Sequence, residues 1–132
     1  MPVKRRILVV DDEPDNRTLM EQILDSECYE LKLAANGAEG VEIFSTWPAQ
    51  LVFMDIRMPV MDGYEATRRI RGLPGGASAR IVALTASVLY EDRGEIIQSG
   101  CDVMLVKPFR ITELLACIDK QFEIMAAQAE GQ

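Results

Sequence analysis

Five polar residues follow directly on apolar runs. Asp11-Asp12 follow Ile7-Leu8-Val9-Val10, and Asp55 follows Leu51-Val52-Phe53-Met54. Thr85 follows Ile81-Val82-Ala83-Leu84, and Lys107 follows Val103-Met104-Leu105-Val106. Brought together in a partly desolvated cleft, three carboxylates repel one another. A hard divalent cation relieves that repulsion, and an oxygen-only donor set favours Mg2+ over zinc or copper. One such ion and the Lys107 ammonium balance the three carboxylate charges, which leaves a neutral site able to receive a phosphoryl group. The ion and the lysine would neutralise charge developing on the phosphoryl oxygens. A carboxylate can act as nucleophile and form an acyl phosphate, and the Thr85 hydroxyl could donate to a phosphoryl oxygen.

Singly, each residue has an ordinary structural explanation. Asp11-Asp12 suit a turn or a helix N-cap, Asp55 a strand end, Thr85 a cap, and Lys107 a solvated charge. Complementary chemistry at four strand ends together outweighs these single-residue readings.

The elements that must position the five residues are legible as alternating patterns. Strands are predicted over Arg6–Val10, Tyr29–Ala34, Leu51–Met54, Arg80–Leu84 and Val103–Val106, mostly as short aliphatic runs of the kind buried on both faces. Pro14 suits the first turn of a helix whose apolar face is Met20, Ile23 and Leu24. Asn36 with Glu39, and Asp62 with Glu65, are capping pairs opening two more helices. Val41 and Phe44 line the first of these, and the second ends near Arg71 before a Gly-Leu-Pro-Gly-Gly loop. A fourth helix is expected around Leu89 to Gln98, closed by Gly100. The last carries Ile111, Leu114, Leu115, Ile118, Phe122 and Met125 at helical spacing. The small, polar stretch from Ala126 to Gln132 is expected to fray or lead into a linker. Five strand–helix units imply an α/β fold, a doubly wound parallel sheet of flavodoxin-like order 2-1-3-4-5. In such sheets ligands bind outside the carboxyl ends of the strands, the edge where Asp11, Asp12, Asp55, Thr85 and Lys107 fall.

The whole-chain properties narrow the function. The 132 residues fit one domain, with 48% hydrophobic and 27% charged residues. A formal charge of −7 repels nucleic acid and anionic membranes, so neither is expected as a direct partner. There is no histidine, which removes imidazole catalysis and most zinc sites. Cys28, Cys101 and Cys117 are widely spaced and suit reduced core thiols in a cytoplasmic protein. No apolar run is long enough to span a bilayer, and the run after Arg6 is too short for a signal peptide.

The sequence resembles the receiver (CheY-like) domain of two-component response regulators over about residues 4–125. The motifs that carry the resemblance are Val-Val-Asp-Asp-Glu-Pro at 9–14, Met-Asp-Ile-Arg-Met-Pro-Val-Met-Asp-Gly at 54–63, Leu-Thr-Ala at 84–86 and Lys-Pro-Phe at 107–109. The resemblance implies that Asp55 accepts a phosphoryl group from a phosphohistidine on a histidine kinase or histidine phosphotransfer domain. It implies Mg2+ as cofactor, held by Asp12 and Asp55, by Asp11 partly through water, and by the backbone carbonyl of Arg57. Thr85 would bind the phosphoryl group and move toward it, and Lys107 would pair with Asp55 or the phosphoryl group. The Lys107-Pro108 bond is often cis in this family. The stretch from Met58 to Arg71 and Gly-Cys-Asp at 100–102 are most similar to receivers fused to hybrid histidine kinases, so an excised domain of a sensor kinase is the expected parent. A stand-alone regulator is the alternative. With no DNA-binding domain after the last helix, output is expected through a protein partner, and a homodimer through the last two helices is left open.

One position departs from the family pattern. Three residues before the lysine, where the family has Tyr or Phe, stands Met104. Methionine is flexible and lacks a rigid two-state rotamer, so either ordinary packing or a more weakly coupled switch is expected. Arg57 and Ser87, two residues after Asp55 and Thr85, occupy positions that tune acyl-phosphate lifetime in the family. A flavodoxin would need a phosphate loop after the first strand, where Asp11-Asp12-Glu13 repel phosphate. A haloacid dehalogenase-type phosphohydrolase carries Asp-x-Asp after that strand, whereas these acids are adjacent. A degenerate receiver serving as a fixed binding surface is the remaining alternative.

Overall fold

Strands and helices alternate along the chain in the computed structural model, which describes residues 5–24, 28–86 and 93–130. They are β1 (Arg5–Val10), α1 (Pro14–Ile23), β2 (Tyr29–Ala34), α2 (Gly37–Thr46) and β3 (Leu51–Asp55), then α3 (Gly63–Arg71), β4 (Arg80–Thr85), α4 (Arg93–Ser99), β5 (Val103–Val106) and α5 (Ile111–Glu130). All strand pairs are parallel, in the order β2-β1-β3-β4-β5. This is the flavodoxin-like order expected from the sequence.

The aliphatic runs of β1, β3 and β4 are buried on both faces, and side-chain alternation splits them between two cores. Leu8, Val10, Val52, Met54, Ile81 and Ala83 pack with Phe44, Ile70 and Ile96 from α2, α3 and α4. Ile7, Val9, Leu51, Phe53, Val82 and Leu84 pack with Met20 of α1 and Leu114, Ile118 and Phe122 of α5. The predicted caps form: Asn36 Oδ1 accepts from Glu39 N at 2.8 Å, and Asp62 Oδ1 accepts from Glu65 N at 3.0 Å. Each satisfies an amide that the first helical turn leaves open.

Several expectations are corrected. In α5, Ile111 and Leu115 are exposed at 53% and 38%, so the core stripe is narrower than the apolar spacing suggested. The helix also runs through Ala126 to Glu130 instead of fraying. Alanine, glutamine and glutamate are strong helix formers, and that propensity prevails over the polar composition. Cys101 is buried and Cys117 half-buried, but Cys28 is exposed and is not a core thiol. The expected start of the fourth helix at Leu89 lies outside the described residues.

Two polar assemblies lie away from the edge that carries Asp11 and Asp55. Arg71, at the end of α3, donates to Gly76 O, Ala79 O and Gly100 O and to Asp102 Oδ2. Asp102 also accepts from Ile81 N at 2.8 Å, so one ion pair joins α3 to the turns around β4 and β5. Arg6, near the start of β1, and Lys32, in the middle of β2, lie 5.2 Å and 5.3 Å from the ring centre of Trp47, within cation–π range.

Candidate functional site

Sheet register brings the acids together. Val10 pairs with Met54, so the next residues along β1 and β3 are Asp11 and Asp55. Asp55 pairs with Leu84 and Thr85 with Val106, which sets Thr85 and Lys107 one step further along the same edge. Carboxylate oxygens of Asp11, Asp12 and Asp55 lie within 4.8 Å of one another. Asp11, Asp55 and Thr85 are buried, and Asp12 is half-buried. Lys107 Nζ donates to Asp11 Oδ2 at 2.9 Å and to Asp55 Oδ2 at 3.4 Å. Its backbone N–H donates to Thr85 O at 2.7 Å, and the Lys107-Pro108 bond is cis.

Strand β3 is followed by a closely fastened loop. Ile56 N donates to Leu84 O, and Gly63 N donates to Ile56 O at 2.9 Å. A Cβ on Gly63 would stand 2.3 Å from Asp55 O, so only glycine lets the start of α3 lie flush on the Asp55 backbone. Between them Met61 N donates to Pro59 O at 2.9 Å around Val60, whose φ is 72°. That is a γ-turn of the strained, positive-φ form.

The electrostatics follow from burial and crowding. Desolvation pushes the Asp55 carboxyl up to about 7 from 3.8; Lys107 opposes the rise, while Asp11 and Asp12 add to it. Burial works against the Lys107 ammonium, but the hydrogen bond to Asp11 and the charges of Asp55 and Asp11 outweigh it and raise its pKa. The cluster thus has more negative charge than one lysine balances, and its donors are all oxygens. That donor set fits Mg2+. A cavity of about 470 Å³ opens beside it, lined by residues that include Leu19, Met20, Lys107, Pro108 and Phe109.

The structure therefore gathers Asp11, Asp12, Asp55, Thr85 and Lys107 at one edge. Arg57 is exposed in the loop after Asp55, and Ser87 lies outside the described residues. Met104 is half-buried on β5 and packs toward the α2–α4 core. The sequence reading missed Arg17, whose Nη1 donates to Asp11 O at 2.7 Å. It also gave no sign that Lys107 lies nearer Asp11 than Asp55. Neither contact has a local sequence signal, since both join residues through side-chain direction.

Comparison with known proteins is consistent across three levels. A family model described as the response regulator receiver domain matches residues 7–119. The sensor histidine kinase RcsC of Salmonella typhi is 40% identical over 108 residues, 82% of this chain but only 11% of that protein. The chemotaxis protein CheY of Halobacterium salinarum is 34% identical over 114 residues, covering 86% of this chain and 93% of that one. The crystal structure of the receiver domain of the sensor histidine kinase PA1611 from Pseudomonas aeruginosa, with a magnesium ion in its active-site cleft, superposes with a TM-score of 0.82 at 38% identity. It covers 90% of this chain and 98% of that domain. Among the described residues, no helix is long and apolar enough to cross a membrane.

Proposed function

The chain belongs to the response regulator receiver domain family of two-component systems, and on that premise we propose that it is a phosphorylation switch with Asp55 as acceptor. The observation that carries this reading is the buried Asp55 carboxylate, clustered with those of Asp11 and Asp12 and 3.4 Å from Lys107. In the proposed step an Asp55 carboxylate oxygen forms a P–O bond as the P–N bond of a donor phosphohistidine breaks. The electron pair returns to the donor imidazole nitrogen, which later takes a proton from solvent. Asp11, Asp12, Asp55 and the Arg57 carbonyl would hold Mg2+. When bound, that ion supplies positive charge against the carboxylates and the transferring phosphoryl oxygens.

Lys107 is assigned to steady the charge on the Asp55 side, and Thr85 to donate to a phosphoryl oxygen. Arg57 and Ser87 are assigned to tuning the lifetime of the acyl phosphate, and Met104 to a softer coupling between phosphorylation and the α4–β5–α5 face. The acyl phosphate changes partner binding, so the domain is a phosphoacceptor and not a metabolic enzyme. Its donor is a histidine kinase or histidine phosphotransfer domain in the cytoplasm. We assign residues 4–125 to the receiver and 126–132 to the passage out of it. The likeness to RcsC, of which the chain spans about a ninth, favours a domain from a hybrid kinase. The likeness to CheY along nearly its whole length supports a stand-alone regulator as the second reading.

The test is incubation with Mg2+ and acetyl phosphate, read by intact mass. One phosphate is expected on the wild type and none on Asp55→Ala. Equal addition to both, or none to either, overturns the proposal.

A further inference from the structure

Asp11 is bonded at all four of its polar atoms. Its N–H donates to Ala34 O at 3.0 Å, Oδ1 accepts from Glu13 N at 3.0 Å, and Oδ2 accepts from Lys107. Its carbonyl accepts from Arg17 Nη1 at 2.7 Å. The last bond differs in kind, because it fixes a peptide rather than a carboxylate. The Asp11 carbonyl and the Asp12 N–H share one rigid plane, so holding the oxygen sets where Asp12 starts. The Glu13 N-cap of α1 makes no side-chain capping bond. The guanidinium of Arg17, the fourth residue of α1, instead fastens the helix to the end of β1.

We infer that Arg17 is a positioning residue for Mg2+ binding, acting through the Asp11–Asp12 peptide; this rests on the metal-site reading above. Two effects of removing it have opposite signs. Loss of a nearby cation alone would strengthen binding of a divalent ion, since like charges repel. Loss of the fastening would weaken it, because a displaced Asp12 no longer meets Asp11 and Asp55 in one donor set. The direction of change therefore identifies which effect governs.

The experiment is calorimetric titration of the unphosphorylated full chain with Mg2+, for the wild type and Arg17→Met. Methionine keeps most of the apolar stem and removes the donor and the charge. About tenfold weaker binding is expected, the low end for losing a group that orients metal ligands. A merely structural role would lower the urea midpoint without Mg2+ and leave the affinity of the folded protein unchanged. Should Arg17→Met fail to fold, Arg17→Gln, whose shorter amide falls short of the Asp11 carbonyl, carries the same expectation. Unchanged or tighter binding in the variant overturns the inference. A wild type that binds no Mg2+ would instead defeat the metal-site reading itself.

Discussion

Lys107 Nζ is 2.9 Å from Asp11 Oδ2 and 3.4 Å from Asp55 Oδ2, so the ammonium sits closer to the β1 acid than to the proposed acceptor. It hydrogen-bonds two carboxylates of the cluster, and its side chain is mostly buried. Removing one partner of such a pair leaves the other's charge uncompensated. Lys107→Met is expected to destabilise the Mg2+-free chain near neutral pH by about 1–3 kcal/mol, less than for a fully buried pair because Lys107 keeps some solvent contact. Saturating Mg2+ should recover most of the loss. Urea unfolding with and without the ion checks both halves, and a deficit indifferent to Mg2+ would contradict the charge-balance account.

Asp55 sets a pH dependence. Its carboxyl is pushed up to about 7 from 3.8, first by desolvation. Between those values the folded chain keeps a proton that the unfolded chain has released, so stability falls as pH rises through that window. The contribution is full below the ordinary carboxylate value and is gone once the pH passes about 7. Asp55→Asn removes this group from the balance. Without Mg2+ it should flatten the pH slope across the window and exceed wild-type stability near neutral pH by on the order of 1–3 kcal/mol. Parallel wild-type and Asn profiles would show that Asp55 does not titrate there.

Gly63 tests how closely α3 must approach the strand of the proposed acceptor. Its missing Cβ would meet Asp55 O at 2.3 Å and Ile56 Cα at 2.8 Å. Both are backbone atoms that have little room to yield. Gly63→Ala is expected to cost about 2 kcal/mol or more and to slow phosphorylation by at least tenfold, roughly, through misplacement of Asp55. At Gly72 the nearest atom is 3.6 Å away, so Gly72→Ala serves as the neutral control. Equal effects at the two positions would remove the close-approach argument.

Val60 offers a gain in stability. Its φ of 72° is unfavourable for a β-branched residue, and its side chain is 96% exposed, so replacing it sacrifices no packing. Glycine has no Cβ and adopts the positive-φ γ-turn without that penalty, at a smaller cost in chain entropy. Val60→Gly should stabilise the fold by about 0.5–1 kcal/mol, the backbone strain relieved less glycine's entropy cost. A lowered urea midpoint would refute the strain assignment.

Met104 bounds a cavity of about 300 Å³ together with Arg93, Ile96, Ile97 and Val103, which leaves room for a larger ring. Met104→Tyr should enlarge the phosphorylation-induced NMR shift changes over α4, β5 and α5. Changes of the same size in both proteins would mean that methionine couples the switch as well as an aromatic does.

Where local chemistry dictated structure, the sequence was sufficient. The aliphatic runs foretold β1, β3 and β4, and the caps at Asn36 and Asp62 formed as their side chains require. The site acids were legible because each ends a buried strand, and strand ends share one edge. Less was legible where residues distant in sequence meet. Nothing beside Arg71 announces its bonds to Gly100 and Asp102 some thirty residues on, and Arg17 reads as a plain helix surface residue until its fold-back to Asp11 is seen. The α5 stripe misled because period alone does not say how wide a helix face the sheet covers. Exposed Ile111 and Leu115 carry the same apolar signal as buried Leu114 and Ile118.

Trp47 is the chain's one tryptophan, and it closes α2 beside Arg6 and Lys32. Arg6 lies near the start of β1, whereas Asp55 ends β3. The sole indole fluorophore is buried in the folded chain, at 7% exposure, so its emission is expected to report global unfolding. Emission can then follow folding on an unlabelled sample while calorimetry follows ion occupancy.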